Sequence, residues 1–215
     1  IENNSARTGN KVFLITSACE NEGKTTSCVN IALSLAQNGK KVLIIDADLR
    51  KPSVSKLLSL PDTDCGLSDV ILGNATLNQA IKLVNNFNVC ILADQKSVPN
   101  PSELLSTDKM EAIIDEVRKN FDYVLIDTAP ASVVTDTSVI AGFVDAAIIV
   151  VREDFSPYSR IRMSIEDIDA NGAEIIGCIF NADTSNVSKT GRYGKRYGHY
   201  GKSGRYGYGS YGYGY

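Results

Sequence analysis

The chain has 215 residues, 43% hydrophobic and 22% charged, enough apolar material to bury the core of one α/β domain and leave a tail. Its formal charge of −3 is unevenly spread: six of the 22 basic residues and no acidic one follow Asp183, so the tail carries +6 and the first 185 residues −9. No apolar run approaches about 18 residues, and the five cysteines form no C-x-x-C pair or metal-ligand spacing, which argues against a membrane-spanning helix, a disulfide scaffold or a zinc module.

The chain begins at Ile1 rather than Met, so upstream sequence, with any membrane anchor it held, is expected to be missing. Residues 12–16 are short, β-branched-rich and uncharged, and are predicted to form a strand buried on both faces of a parallel sheet. The strand runs into A-C-E-N-E-G-K-T (residues 18–25) and then a helix over 25–38. This is a G-x-x-x-x-G-K-[ST] phosphate loop with Ala18 in the first glycine's place. In such a loop, backbone N–H groups and the helix N-terminus face the phosphates of ATP. Ala18, Cys19, Glu20, Asn21, Glu22 and Gly23 form the cradle, and Lys24 reaches the β/γ oxygens. Thr25 ligates Mg²⁺ and Thr26 meets the α-phosphate.

A second buried strand, 42–46, ends in D-A-D-L-R-K-P, with Asp46 and Asp48 two apart at the strand rim. Two carboxylates there repel unless a cation lies between them, and Mg²⁺ is the natural one. Further strands are predicted at 89–92, 123–127, 146–151 and 175–180, with helices at 102–120 and 156–171, the last N-capped by Ser156. The strand at 123–127 ends in Asp127, a third acid placed to hold Mg²⁺. Strand–helix alternation with right-handed crossovers gives a doubly wound, mainly parallel sheet with helices on both faces, whose ligands sit at the strands' carboxyl ends. Asn181 follows the last strand, where it suits either an adenine contact or a simple turn. Arg50 and Arg152 flank strand ends and are candidates to neutralise phosphate charge, or plain surface arginines. Tyr123 and Tyr158 are expected to be packed in the folded body.

The domain is expected to span residues 1–185 and a flexible tail 186–215. Eight of the ten tyrosines lie there: Tyr193, Tyr197, Tyr200, Tyr206, Tyr208, Tyr211, Tyr213 and Tyr215. A Gly-rich strip cannot bury phenols in a core, so a phosphate-handling domain joined to it suggests an enzyme that carries its own substrate. A low-complexity adhesive or RNA-binding strip is the competing reading of Arg, Gly and Tyr together, but no RNA module accompanies it, and no nucleic-acid partner is expected.

On the loop E-G-K-T-T, the strand V-L-I-I-D-A-D-L-R-K-P, the strand ending at Asp127 and the tyrosine tail, the chain resembles the bacterial tyrosine kinases (BY-kinases) of capsule and exopolysaccharide export. Weaker matches at C-G-L-S-D-V-I-L-G (65–73), P-N-P-S-E-L-L (99–105) and F-D-Y-V-L-I-D-T-A-P (121–130) carry the resemblance over nearly the whole chain. The resemblance implies a P-loop fold and an ATP- and Mg²⁺-dependent kinase that phosphorylates the tail tyrosines of a neighbouring copy within a ring. It implies Asp46 as the acid that accepts the tyrosine proton, with Lys24 and Asp48 beside it in catalysis, and Thr25, Asp48 and Asp127 around the metal. It also implies a membrane polysaccharide co-polymerase as activator, a tyrosine phosphatase as partner, and a cytoplasmic place at the inner face of the membrane. The family's E-x-x-R-x-x-R oligomerisation motif has no counterpart in residues 1–10, as expected of a shortened N-terminus. ParA/MinD-like ATPase switches share the loop class and are the alternative. They carry a lysine where this chain has Cys19.

Overall fold

A computed structural model of the chain describes residues 1–9, 11–84 and 87–182. The tail with its eight candidate tyrosines lies outside the described residues. In chain order the elements begin with α1 (Glu2–Thr8), β1 (Val12–Ser17), α2 (Lys24–Gln37) and β2 (Val42–Asp46). Three short helices follow, α3 (Val54–Leu57), α4 (Leu67–Leu72) and α5 (Leu77–Ala80), then β3 (Lys82–Val84) and β4 (Val89–Leu92). The remainder is α6 (Pro101–Leu105), α7 (Asp108–Asn120), β5 (Tyr123–Asp127), α8 (Asp136–Ala141), β6 (Ala146–Arg152), α9 (Tyr158–Ala170) and β7 (Glu174–Asn181).

The strands form one sheet in the order β3-β4-β2-β5-β1-β6-β7, parallel except for β3, which runs antiparallel to β4 at the edge. All of β1, β2 and β5 is buried, as expected of strands covered on both faces. Alternate side chains divide between two cores. Phe13, Ile15, Ile44 and Leu125 pack with Val29, Ala32 and Leu35 of α2 on one face. Leu14, Ile45 and Ile126 pack with Leu105, Ile114 and Ile168 of the later helices on the other. The register sets the site. Asp46 is paired with Asp127 across β2 and β5, and Ile15 with Asp127 across β1 and β5. The carboxyl ends of three neighbouring strands therefore meet at one point, beside the N-terminus of α2.

Four expectations are corrected. The helix predicted over 102–120 is two helices, because Thr107 takes an extended conformation and its hydroxyl accepts from Met110 N–H at 3.4 Å, starting α7 afresh. Helix α9 starts at Tyr158 with Pro157 in the cap position, so Ser156 is not its N-cap. Tyr158 is not packed: as the first residue of α9 it is 77% exposed. Strand β7 is not buried on both faces but alternates between exposed and half-buried, as an edge strand does. Among the described residues no helix is long and apolar enough to cross a membrane.

Ile44, fully buried at the centre of the sheet, should be among the costliest positions to shorten. Ile44→Ala is expected to lower unfolding free energy by about 2–5 kcal/mol and Ile44→Val by about 0.5–1.5 kcal/mol, read from urea unfolding midpoints. Equal, small losses for both would mean that the core relaxes around this strand.

Candidate nucleotide site

The phosphate loop is held by the chain's own backbone turns and side-chain contacts. Asn21 (φ 63°) and Gly23 (φ 91°) are left-handed, which reverses the chain between β1 and α2. A Cβ on Gly23 would lie 2.2 Å from Asn181 Nδ2, so another residue here would be strained by φ and would displace the Asn181 amide from the loop. Glu22 is fully buried beneath the loop. Its Oε2 accepts from Cys19 N–H at 2.6 Å and its Oε1 from Arg152 N–H at 3.2 Å. Asn181 Nδ2 donates to Glu22 O at 2.8 Å, and Arg152 Nη1 to Asn21 O at 3.3 Å. Ser132 Oγ donates to Ala18 O from the far side. Glu22 thus acts as an internal staple, a role its place among the loop residues did not signal.

The loop borders a cavity of about 560 Å³. Glu20, Asn21, Gly23, Lys24, Thr25, Thr26 and Asp48 line it, as do Arg50, Lys51, Ser53, Lys56 and Leu57 after β2, and Ala129, Pro130, Val133 and Val134 after β5. Ala18, Glu22, Asp46 and Asp127 are fully buried, and Cys19 is half-buried with Arg160 Nη1 3.5 Å from its sulfur. Asn181 is set against the loop backbone and is not among the lining residues. Arg152 stacks 4.9 Å from the centre of the Phe155 ring.

Charge is concentrated where the three strands end. Lys24 Nζ lies 3.1 Å from Asp48 Oδ2, both side chains nearly buried. Burial alone would lower the Lys24 pKa, but Asp127 and Asp48 outweigh it and hold the ammonium above its ordinary value. Asp46 Oδ2 accepts from Ser53 N–H at 2.8 Å and Val54 N–H at 2.9 Å, and its Oδ1 from Asp48 N–H at 3.2 Å. Burial pushes the Asp46 carboxyl well above the ordinary carboxylate range, and the charge of Asp127 pushes it further against the two amides. Burial likewise raises Asp127, opposed by Lys24 and by the Thr25 hydroxyl. Thr25 Oγ1 donates to Asp127 Oδ2 at 2.6 Å and lies 3.1 Å from Ser53 Oγ. The other oxygen, Asp127 Oδ1, is buried with no hydrogen-bond partner.

That orphaned oxygen next to the Thr25 hydroxyl fits a hard divalent cation. Among the described residues no three His, Cys, Asp or Glu side chains converge as a metal cage. The set therefore suits Mg²⁺, which is held by one or two protein oxygens and completes its shell with phosphate and water. The expected contribution of Asp48 is not free here, since Lys24 and the Lys51 N–H (3.1 Å) occupy its oxygens. Ser53 and Lys56 were not anticipated, and their place just after D-L-R-K-P brings them to the cavity beside Lys51 of that motif. Lys51 reaches Glu20 at 2.8 Å, but both ends are exposed, so the pair adds little stability.

A family model described as an AAA domain matches residues 12–169. The tyrosine-protein kinase YwqD of Bacillus subtilis (strain 168) is 35% identical over 184 residues, covering 86% of this chain and 76% of that protein. Among solved structures, the kinase domain of the Escherichia coli tyrosine kinase ETK superposes with a TM-score of 0.80 at 30% identity, covering 87% of this chain and 73% of that one. The septum site-determining protein MinD of Pyrococcus horikoshii OT3, complexed with Mg-ADP, gives a TM-score of 0.70 at 27% identity over 79% of this chain and 69% of that one. The fold is that of a nucleotide-binding P-loop domain.

The raised Asp127 gives a stability prediction with a definite sign. The folded state holds this carboxyl neutral to a higher pH than the unfolded chain does. Its favourable contribution is complete below the unfolded value of 3.8 and is lost as pH rises through about 6. Asp127→Asn should therefore stabilise the nucleotide- and metal-free chain, with a gain near zero at about pH 4 that is complete by about pH 7.5. Thermal unfolding across that range reads it, and a gain that shrinks with rising pH would contradict the assignment.

Proposed function

The chain belongs to the AAA-domain family and, within it, to the bacterial tyrosine-protein kinases, and on that footing we propose that it transfers the γ-phosphoryl group of ATP to tyrosines of a neighbouring copy's tail. The observation that carries the reading is the convergence of Lys24, Thr25 and Asp48 on one cavity beside the phosphate loop, with Asp127 buried behind them and hydrogen-bonded to Thr25. Phosphoryl transfer asks a protein mainly for positioning and charge neutralisation, which such an arrangement supplies.

The residues divide the work as follows. Amides of residues 20–25 and the N-terminus of α2 hold the triphosphate. Lys24 exchanges Asp48 for the β/γ oxygens, which frees the Asp48 carboxylate at the cavity wall. Thr25 and Asp127 would hold Mg²⁺, which when bound screens charge on the transferring group. The acceptor phenol would meet Asp48 first, since Asp46 lies behind the wall with three backbone amides on its oxygens. Asp46 then holds the backbone of Asp48 through its hydrogen bond from the Asp48 N–H and is the proton's second resting place. Asn181 is reserved for the loop in this arrangement, and any adenine contact would need it to turn from Glu22 O.

The tail tyrosines, from Tyr193 to Tyr215, are the proposed acceptors, and a basic tail of +6 against a body of −9 favours the approach of the tail to a neighbour's body. We further propose a ring of copies, a membrane polysaccharide co-polymerase as activator, an opposing tyrosine phosphatase, and a role in capsule or exopolysaccharide export at the inner face of the membrane. These follow from family membership alone.

Incubation with Mg–ATP followed by mass spectrometry should find phosphotyrosine among the eight tail positions. Lys24→Met should reduce it by at least about 100-fold, because the phosphates lose their buried counter-charge. Release of inorganic phosphate with no phosphotyrosine would instead favour a MinD-like ATPase switch. Asp48→Asn should impair transfer at least as much as Asp46→Asn. The reverse order would return the direct contact to Asp46.

A further inference from the structure

Two stretches singled out in the sequence, D-L-R-K-P at 48–52 and P-N-P-S-E-L-L at 99–105, meet on one guanidinium. Arg50 Nε donates to Asp136 Oδ2 at 2.9 Å, and Arg50 Nη2 donates to Asp136 Oδ1 at 3.2 Å. The same Nη2 donates to Ser102 Oγ at 3.0 Å, and Ser102 Oγ donates in turn to Asp136 Oδ1. Asp136 is 1% exposed in its side chain, Arg50 41%. The positive charge of Arg50 is thus matched from behind by a buried carboxylate, and it is not a free cation waiting for phosphate.

The fork joins two walls of the cavity. The segment after β2 brings Arg50, Lys51 and Ser53 to it, then Lys56 and Leu57 of α3. The segment after β5 brings Ala129, Pro130, Val133 and Val134, and ends at Asp136, the first residue of α8. Leu57 (47% exposed) and Val133 (51% exposed) stand one on each segment, apolar and open to solvent at the border of a charged cavity. Phosphates gain nothing from such side chains, whereas the ring of a phenol does.

We propose that Arg50, held by Asp136 and Ser102, is a positioning residue that fixes the spacing of these two walls and so the fit of the acceptor tyrosine between Leu57 and Val133. This rests on the tyrosine-kinase reading above. A bidentate guanidinium–carboxylate pair fixes distance and angle together, which an ammonium cannot reproduce. Misplacement by about 1 Å is enough to cost on the order of 100-fold in rate.

The test uses the full chain, a synthetic peptide of residues 191–215 as acceptor, and a fluorescent ADP analogue as the nucleotide probe. Arg50→Lys and Asp136→Asn should each raise the peptide KM by about tenfold or more while the ADP-analogue Kd stays within about twofold. The double variant should be no worse than the more impaired single one, because both cut the same tie. If Asp136→Asn fails to fold, Arg50→Lys and Ser102→Ala carry the comparison, with thermal unfolding as the check on folding. A tenfold loss of nucleotide affinity at unchanged peptide KM would place Arg50 on the phosphates and overturn the proposal, as would wild-type constants for Arg50→Lys. Failure of the unsubstituted chain to label the peptide would overturn the kinase reading itself, and is visible before any variant is compared.

Discussion

Two buried carboxylates side by side set the terms for the rest of this molecule. Asp46 and Asp127 end neighbouring strands in register, fully removed from water. At a strand spacing of about 5 Å and an effective dielectric near 20, two full charges would repel by about 3 kcal/mol before desolvation is counted. The fold answers with three amides around Asp46, a hydroxyl on Asp127, and the Lys24 ammonium beside both. One oxygen of Asp127 is still left without a partner. A domain under selection for stability alone would place neither acid there, and a site that must bind a cation with its phosphates has reason to keep both.

The loop above them shows the complementary economy. Glu22 points inward, spends its charge on two backbone amides, and leaves the loop's outer face to the ligand. Asn181 and Arg152, from the ends of the last two strands, fix Glu22 and Asn21 by their carbonyls. The cradle is therefore held from two strand ends, and ligand binding need not supply the order. Lys24 is the moving part. Its partner here is Asp48, and in the proposed function a triphosphate would exchange one anion for another and release that carboxylate toward the acceptor.

Much of this was legible in the sequence. The β-branched runs at 12–16, 42–46 and 123–127, charged only at Asp46 and Asp127, read as strands buried on both faces, and parallel pairing sets the three motifs that follow or end them at one end of the sheet. What escaped depends on contacts between distant segments or on competition at helix ends. The break at Thr107 is a capping hydroxyl inside an otherwise continuous helical pattern. Strand β3 has three residues and exists because β4 offers it an edge. Arg50 reads as a loose surface cation until the fold sets Asp136, 86 residues away, behind it. Asp46 and Asp48 look equivalent as D-A-D, and only the turn after β2 sends one behind the wall and the other onto it.

The buried acids Asp46 and Asp127 are held partly neutral by burial, and a metal–nucleotide complex is expected to draw off their protons. Calorimetric titration of Mg–ADP into the chain at about pH 6, repeated in buffers of different ionisation enthalpy, counts the protons exchanged. Net proton release is expected, part of which disappears in Asp127→Asn. Equal proton counts for the two proteins, or net uptake, would show that the carboxylate pair is not the group that the ligand neutralises.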